Sequence, residues 1–201
     1  MWSFFLASLV VALVPGPDNL FVLSQSASFG RKAGLVVILG LCTGICIQIL
    51  FLVTGLSLIL VNSPKAFFVL QCLGACYLLY LAFLSFRVQK GVISVEKTKA
   101  LSPFKLYRRG AFMNLTNPKA VIFLLAFLPP AVNTSLSLSP TTQIIVLGLL
   151  FILSVWIVFG AFAFFGGWIY HFFSSSPKAN LYLNRAAGTV FIFLALSLFI
   201  W

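Results

Sequence analysis

The sequence predicts an all-α integral membrane protein: six transmembrane helices forming two inverted three-helix repeats, with helices 1 and 4 broken by proline. Composition is the first observation behind this. Of 201 residues, 62% are hydrophobic and 7% charged, and the mean hydropathy is +1.14. A soluble domain carries about 25% charged residues, so this chain lacks the polar surface to cover a water-facing globule. The second observation is six apolar runs, each near the roughly 20 residues that cross the hydrocarbon. The third is that two of these runs are interrupted by proline next to a charge.

Helix 1 is expected over 3–29, with its interior reading Val14-Pro15-Gly16-Pro17-Asp18-Asn19. Proline removes a backbone donor and clashes with the carbonyl four residues back. In lipid the freed carbonyls need protein or water as partners, so this break faces the protein interior. Pro17 suits the first turn of a restarted helix, and Asp18 and Asn19 lie where backbone N–H groups point free.

Helices 2 and 3 are expected over 34–61 and 65–86. Gly40-x-x-x-Gly44 on helix 2 lets a neighbour approach closely. Gln48 and Gln71 lie inside these two runs, where an amide without a partner is costly. Each either bonds across helices or lines a solute path.

The connector 87–110 carries Arg87, Lys90, Lys97, Lys99, Lys105, Arg108 and Arg109 against Glu96 alone. The positive-inside rule makes it a cytoplasmic loop. Arg31, Lys32, Lys178 and Arg185 fall on the same side, and Lys65 on the other. Both termini are therefore expected outside, in the periplasm of a bacterial inner membrane. A net charge of +11 on a soluble protein would point to nucleic acid. Here it sets topology and meets anionic lipid headgroups, and no nucleic-acid partner is expected. The N-terminus lacks a basic leader, so the first run reads as a retained helix. The chain reads as one membrane domain, 1–201, with repeat 1 over about 1–86 and repeat 2 over about 111–201.

Helix 4 is expected over 111–131. Within it Asn117 can cap a helix that begins at Pro118, with Lys119 following. Helices 5 and 6 are expected over 142–172 and 185–201. Trp168, Tyr170 and His171 read as an interface belt.

Three helices before the basic connector and three after it invert the second half relative to the first. Each half opens with a helix interrupted by proline and a charge, Pro17-Asp18 and Pro118-Lys119. Paired interruptions in inverted halves point to a transporter's binding site. At 1.5 Å per residue Asp18 lies roughly 21 Å from the outer face and Lys119 roughly 12 Å from the inner face. In a hydrocarbon core of about 30 Å the two reach similar depth. A charge there costs at least ~2.5–3.5 kcal/mol, so neither faces lipid.

Two uses remain open. The pair neutralises itself and pins helix 1 to helix 4, or it flanks a polar cavity that binds a small charged solute. A zwitterion fits the second: Lys119 and the helix N-termini favour a carboxylate, and Asp18 an ammonium. Asp18 is also the acidic residue placed to carry a proton. The candidate substrate and proton residues are Asp18, Lys119, Asn19, Asn114 and Asn117. Pro15, Gly16, Pro17 and Pro118 are candidate hinges, and Gln48 and Gln71 form a second tier.

Pro15-Gly16-Pro17-Asp18-Asn19-Leu20, followed by Gly30-Arg31-Lys32-Ala33-Gly34, resembles the N-terminal signature of the LysE (lysine exporter) translocator family, which includes homoserine and threonine exporters. Asn114-Leu115-Thr116-Asn117-Pro118-Lys119-Ala120, with Phe127-Leu128-Pro129, is similar to that family's second block. The resemblance implies export of amino acids or related metabolites from bacteria, driven by the proton gradient. Pro130 stands where the family pattern has a polar residue, which affects the outer end of helix 4. With no other charge at mid-membrane depth, a neutral amino acid is the expected substrate.

A different chemistry is conceivable at the cysteines. Cys42 and Cys46 share one face of helix 2, and Cys72 and Cys76 one face of helix 3. Depth counting sets Cys42 near Cys76 and Cys46 near Cys72, as a thiol–disulfide oxidoreductase or a metal-efflux carrier would need. Buried free cysteine also serves as a small hydrophobe, and that is the expected use here. No phosphate-cradling loop, paired carboxylates or Ser-His-acid arrangement is present. The chain is expected to be no enzyme and to need no metal or cofactor. Small-residue helix faces allow a homodimer.

Overall fold

The computed structural model describes residues 1–62, 64–88, 100–133, 135, 137–175 and 177–199. Among them the chain forms eight helices and no strand. In chain order they are α1 (Trp2–Leu13), α2 (Pro17–Phe29), α3 (Arg31–Asn62), α4 (Pro64–Arg87), α5 (Pro103–Thr116), α6 (Pro118–Phe127), α7 (Pro140–Ser175) and α8 (Pro177–Ser197). Arg31–Thr54 and Pro140–Ile169 are each long and apolar enough to cross a membrane. Two bent pairs raise that number to four if each pair is one span: α1 with α2, bent by 61°, and α5 with α6, bent by 52°. Gln71–Arg87 and Leu181–Ser197 are shorter apolar helices.

Both expected proline breaks are present. At the first, Val14 and Gly16 are extended, and Leu20 N–H donates to the Gly16 carbonyl at 3.0 Å, restarting the helix. At the second, Asn117 is extended and its side chain accepts from Lys119 N–H at 3.0 Å, the expected cap.

Some boundaries move. Helix α5 starts at Pro103, inside the connector expected to run as loop to 110, with Ser102 at the cap position. Lys105, Arg108 and Arg109 therefore stand on an exposed helical face. Residues 89–99 of that connector, with Lys90, Glu96, Lys97 and Lys99, lie outside the described residues. Helix α8 also begins earlier than expected. Helix α6 stops at Phe127, short of 131, because Pro129 and Pro130 supply no N–H to continue it; a turn follows, with Ala131 N–H on Leu128 O.

Helix α3 is the spine. It packs along α5 and α7, while α7 also covers α1 and α2. The α3–α5 contact is backbone to backbone. A Cβ at Gly40 would strike the Tyr107 carbonyl, and one at Gly110 the Val37 carbonyl. Tyr107 OH completes the seam by donating to Thr43 Oγ1 at 2.9 Å. Helix α4 packs mainly on α8 and on α6. Large apolar side chains such as Trp2, Phe51 and Phe193 are exposed, as on a surface bathed in hydrocarbon. Of the described basic side chains Lys119 is buried, and Arg31, Lys32, Lys65, Arg87, Lys105, Arg108, Arg109, Lys178 and Arg185 are exposed. Arg109 stacks on Phe21 of α2, 4.6 Å from the ring centre.

Candidate functional site

The site grows out of the first break. Interrupting the helix at Pro15–Pro17 leaves the Ala12 and Val14 carbonyls without their usual partners four residues on. Side chains take over. Asn19 Nδ2 donates to Ala12 O at 2.6 Å, and Lys119 Nζ, from the other half of the chain, donates to Val14 O at 3.0 Å.

Lys119 makes two further bonds, to Asn19 Oδ1 at 3.0 Å and to Asp18 Oδ1 at 3.3 Å. An ammonium has three protons, and all three are accounted for. The Asp18 and Lys119 side chains are 6% and 7% exposed. Asp18 is the one acid among the described residues. In this conformation the two charges satisfy one another, where the sequence left open a cavity between them. Gly16 makes room for this. A Cβ there would lie 2.7 Å from Asp18 Oδ1 and 3.0 Å from Lys119 Nζ.

The second break adds a neutral layer. Gln48 Nε2, from α3, donates to Asn114 O at 3.0 Å and to Asn114 Oδ1 at 3.2 Å, and Asn117 N–H donates to Asn114 O at 3.1 Å. Asn19, Asn114, Asn117 and Gln48 are all buried. Gln71 stands apart: its amide donates to Leu198 O at 3.1 Å and ties α4 to the end of α8.

One turn beyond Lys119 lies a plug of aromatic rings. Phe123 stacks on Phe127 at 4.8 Å and on Phe4 at 5.7 Å, and meets Phe151 tilted at 5.4 Å. Beyond it an apolar cavity of about 650 Å³ opens between α1, the end of α6 and α8, with Phe4 and Phe127 in its wall.

The cysteines do not assemble. All four are free; Cys42 is buried, and Cys46 and Cys76 are exposed. Among the described residues no group of three or more His, Cys, Asp or Glu side chains could hold a metal ion. Nothing here supports the thiol or metal alternative. The side chains of Tyr170 and His171 lie outside the described residues.

The model of the LysE type translocator family matches residues 9–200. The chain belongs to that family. Among relatives of the LysE type is a leucine efflux protein of Salmonella choleraesuis (strain SC-B67), 26% identical over 198 residues, covering 95% of this chain and 90% of the relative. The homoserine/homoserine lactone efflux protein of Salmonella typhimurium is 28% identical over 195 residues, covering 95% and 91%. An uncharacterized membrane protein of Vibrio cholerae is 27% identical over 194 residues, covering 94% and 91%. No solved structure matches the chain. As a LysE type translocator, the chain falls among efflux transporters and is not an enzyme.

Sequence reasoning singled out Asp18, Lys119, Asn19, Asn114, Asn117 and, in a second tier, Gln48, but it did not foresee that Gln48 bonds to Asn114. It missed the Ala12 and Val14 carbonyls and the aromatic plug. The prolines themselves point to Val11 O and Leu13 O. Ala12 O and Val14 O lose their partners because the backbone turns extended at Val14 and Gly16, which the sequence signals only as a break. Phe123 had a weak signal, one helical turn from Lys119 on the same face.

Proposed function

We propose that the chain exports a small neutral amino acid or amino-acid derivative from the cytoplasm in exchange for protons. The observation that carries this reading is the buried Lys119–Asp18 contact, which joins the two interrupted helical pairs. In the closed state the Lys119 ammonium occupies the position that a substrate ammonium would take beside Asp18. A zwitterion entering the break displaces it, its ammonium toward Asp18 and its carboxylate toward Lys119. Proton uptake by Asp18 from the outside then removes the charge holding the amine, and the substrate leaves. Pro15, Gly16, Pro17 and Pro118 are the hinges about which the halves move. The efflux proteins among the relatives support the direction of transport.

The reading includes six spans in two inverted repeats, with 87–110 on the cytoplasmic side of a bacterial inner membrane, both termini in the periplasm, and anionic lipid around the basic end. The test loads expressing cells with dipeptides and measures which amino acids leave. Asp18→Asn is expected to insert normally and lose proton-driven efflux. Full-rate efflux in that variant removes Asp18 from the mechanism.

A further inference from the structure

We propose that the groove over the start of α5 binds one anionic phospholipid, its phosphate held by Lys105 and Arg108 and its acyl chains running along Phe112 and Leu115. The site makes specific what the exporter reading leaves as a basic end meeting lipid, and it does not depend on which solute is carried.

Helix α5 breaks a local rule. Its first two turns hold Lys105, Arg108 and Arg109 and no acid, and the Ser102 side chain makes no cap bond. Free N–H groups make the start of a helix positive, so cations are disfavoured there and an anion is favoured. The positive-inside rule asks for cations on this side of the membrane, but not for three of them at a helix N-terminus. The described protein supplies no countercharge. Asp18 is the one acid among the described residues, and it is buried against Lys119. Arg109 meets the Phe21 ring at 4.6 Å and Arg108 the Phe104 ring at 5.7 Å, contacts that bring no negative charge.

A cavity is the second, independent observation. A groove of about 520 Å³ lies over this stretch, within the range of about 300–1,000 Å³ usual for small-molecule pockets. It is lined by the three cations, by Phe112 and Leu115 further along α5, and by Tyr107 and Thr43 of the α3–α5 seam. Tyr107 OH donates to Thr43 Oγ1, and Thr43 Oγ1 donates to Leu39 O at 3.0 Å. Both hydroxyl protons are spent, so holding an anion falls to the cations. The lining changes character along the helix. Phe112 stands about 10 Å along the axis from Lys105, and Leu115 about 15 Å. Phe112 is 69% exposed. One groove thus has a cationic end and an apolar end, which matches an amphiphile with a negative head. A free phosphate would use only the first end, and a neutral lipid only the second.

The experiment titrates the purified protein in neutral detergent, at one ionic strength, with phosphatidylglycerol, phosphatidylcholine of the same chains, or inorganic phosphate, and follows the melting temperature. Phosphatidylglycerol is expected to raise it saturably, and the other two are not. The concentration at half effect is expected to rise about fivefold in Lys105→Gln and in Arg108→Gln, the factor that one cation near a negative membrane surface is worth, and about 25-fold in the double variant. Both side chains are exposed, and either single variant decides if the double one fails to fold. Lys178→Gln with Arg185→Gln removes the same charge from α8 and is expected to leave the titration unchanged. No shift in wild type, an equal shift with phosphatidylcholine or phosphate, or an equal loss in the α8 variant overturns the site. Melting is read without transport, so each of these outcomes leaves the exporter reading intact.

Discussion

Lys119 Nζ donates to the carbonyl of Val14, 105 positions away, at 3.0 Å. A proline-broken helix inside a membrane must find partners for its stranded carbonyls, and here the partner is a charged side chain from the opposite half. The same ammonium holds Asp18 and Asn19. One residue therefore joins the two interrupted helical pairs, and displacing it frees both.

Removing Lys119 alone is expected to be severe. Lys119→Met leaves Asp18 buried without a countercharge and Val14 O without a donor. Breaking one partner of a buried pair costs about 3–5 kcal/mol. Thermal unfolding of the purified protein in detergent measures this. The double variant Asp18→Asn with Lys119→Met is expected to be less destabilised than the sum of the two single variants, because it leaves no lone charge. Additive losses would mean that the two groups act independently.

The α3–α5 seam yields a packing prediction. Gly40 faces the Tyr107 carbonyl with no room for a methyl group, and backbone cannot move aside as a side chain can. Gly40→Ala is expected to separate the helices and destabilise the protein by about 1–3 kcal/mol, the usual range for overpacking. A melting temperature equal to wild type would show that the seam is looser than described.

Phe123 is fully buried, stacks on two other rings and packs tilted against a third. Phe123→Ala is expected to lower stability by about 3–5 kcal/mol, from lost contacts and the cavity left behind. That cavity would adjoin the Lys119 turn on one side and the apolar pocket on the other. Phe123→Leu refills most of the volume and is expected to recover most of the stability. Equal melting temperatures for the Ala and Leu variants would count against this packing role.

Asp18 and Lys119 were legible in the sequence because a charge in an apolar run has few places to go. Depth counting brought them to one level without any structure. Gln48 and Gln71 were not separable in this way. Both are amides in similar apolar runs, and only the tertiary partner sends one to Asn114 and the other to Leu198. The start of α5 was missed because Lys105, Arg108 and Arg109 read as a solvated loop. Ser102 followed by Pro103 was the helix-start signal, outweighed by the charge pattern. The four cysteines show the reverse error available to sequence reasoning: equal depth does not bring helices together, and α4 packs mainly on α8.

Two glycines separate steric from conformational need. Gly16 has φ −157° and ψ 174°, extended backbone that any residue adopts. Its requirement is space, since a Cβ would stand 2.7 Å from Asp18 Oδ1 and 3.0 Å from Lys119 Nζ. Gly30 has φ +81°, and a Cβ there would meet nothing within 4 Å. Its requirement is the backbone conformation, φ +81° with ψ 168°, a region essentially confined to glycine that costs an L-residue about 1–3 kcal/mol. Gly16→Ala is therefore expected to part Asp18 from Lys119 and strongly impair efflux per molecule in the membrane. Gly30→Ala is expected to lower the melting temperature while leaving the preference among exported amino acids unchanged. Measuring efflux per unit of membrane protein alongside thermal stability separates the two. If Gly16→Ala matched wild type in efflux per molecule, the tight Asp18–Lys119 contact would not be part of the transport cycle.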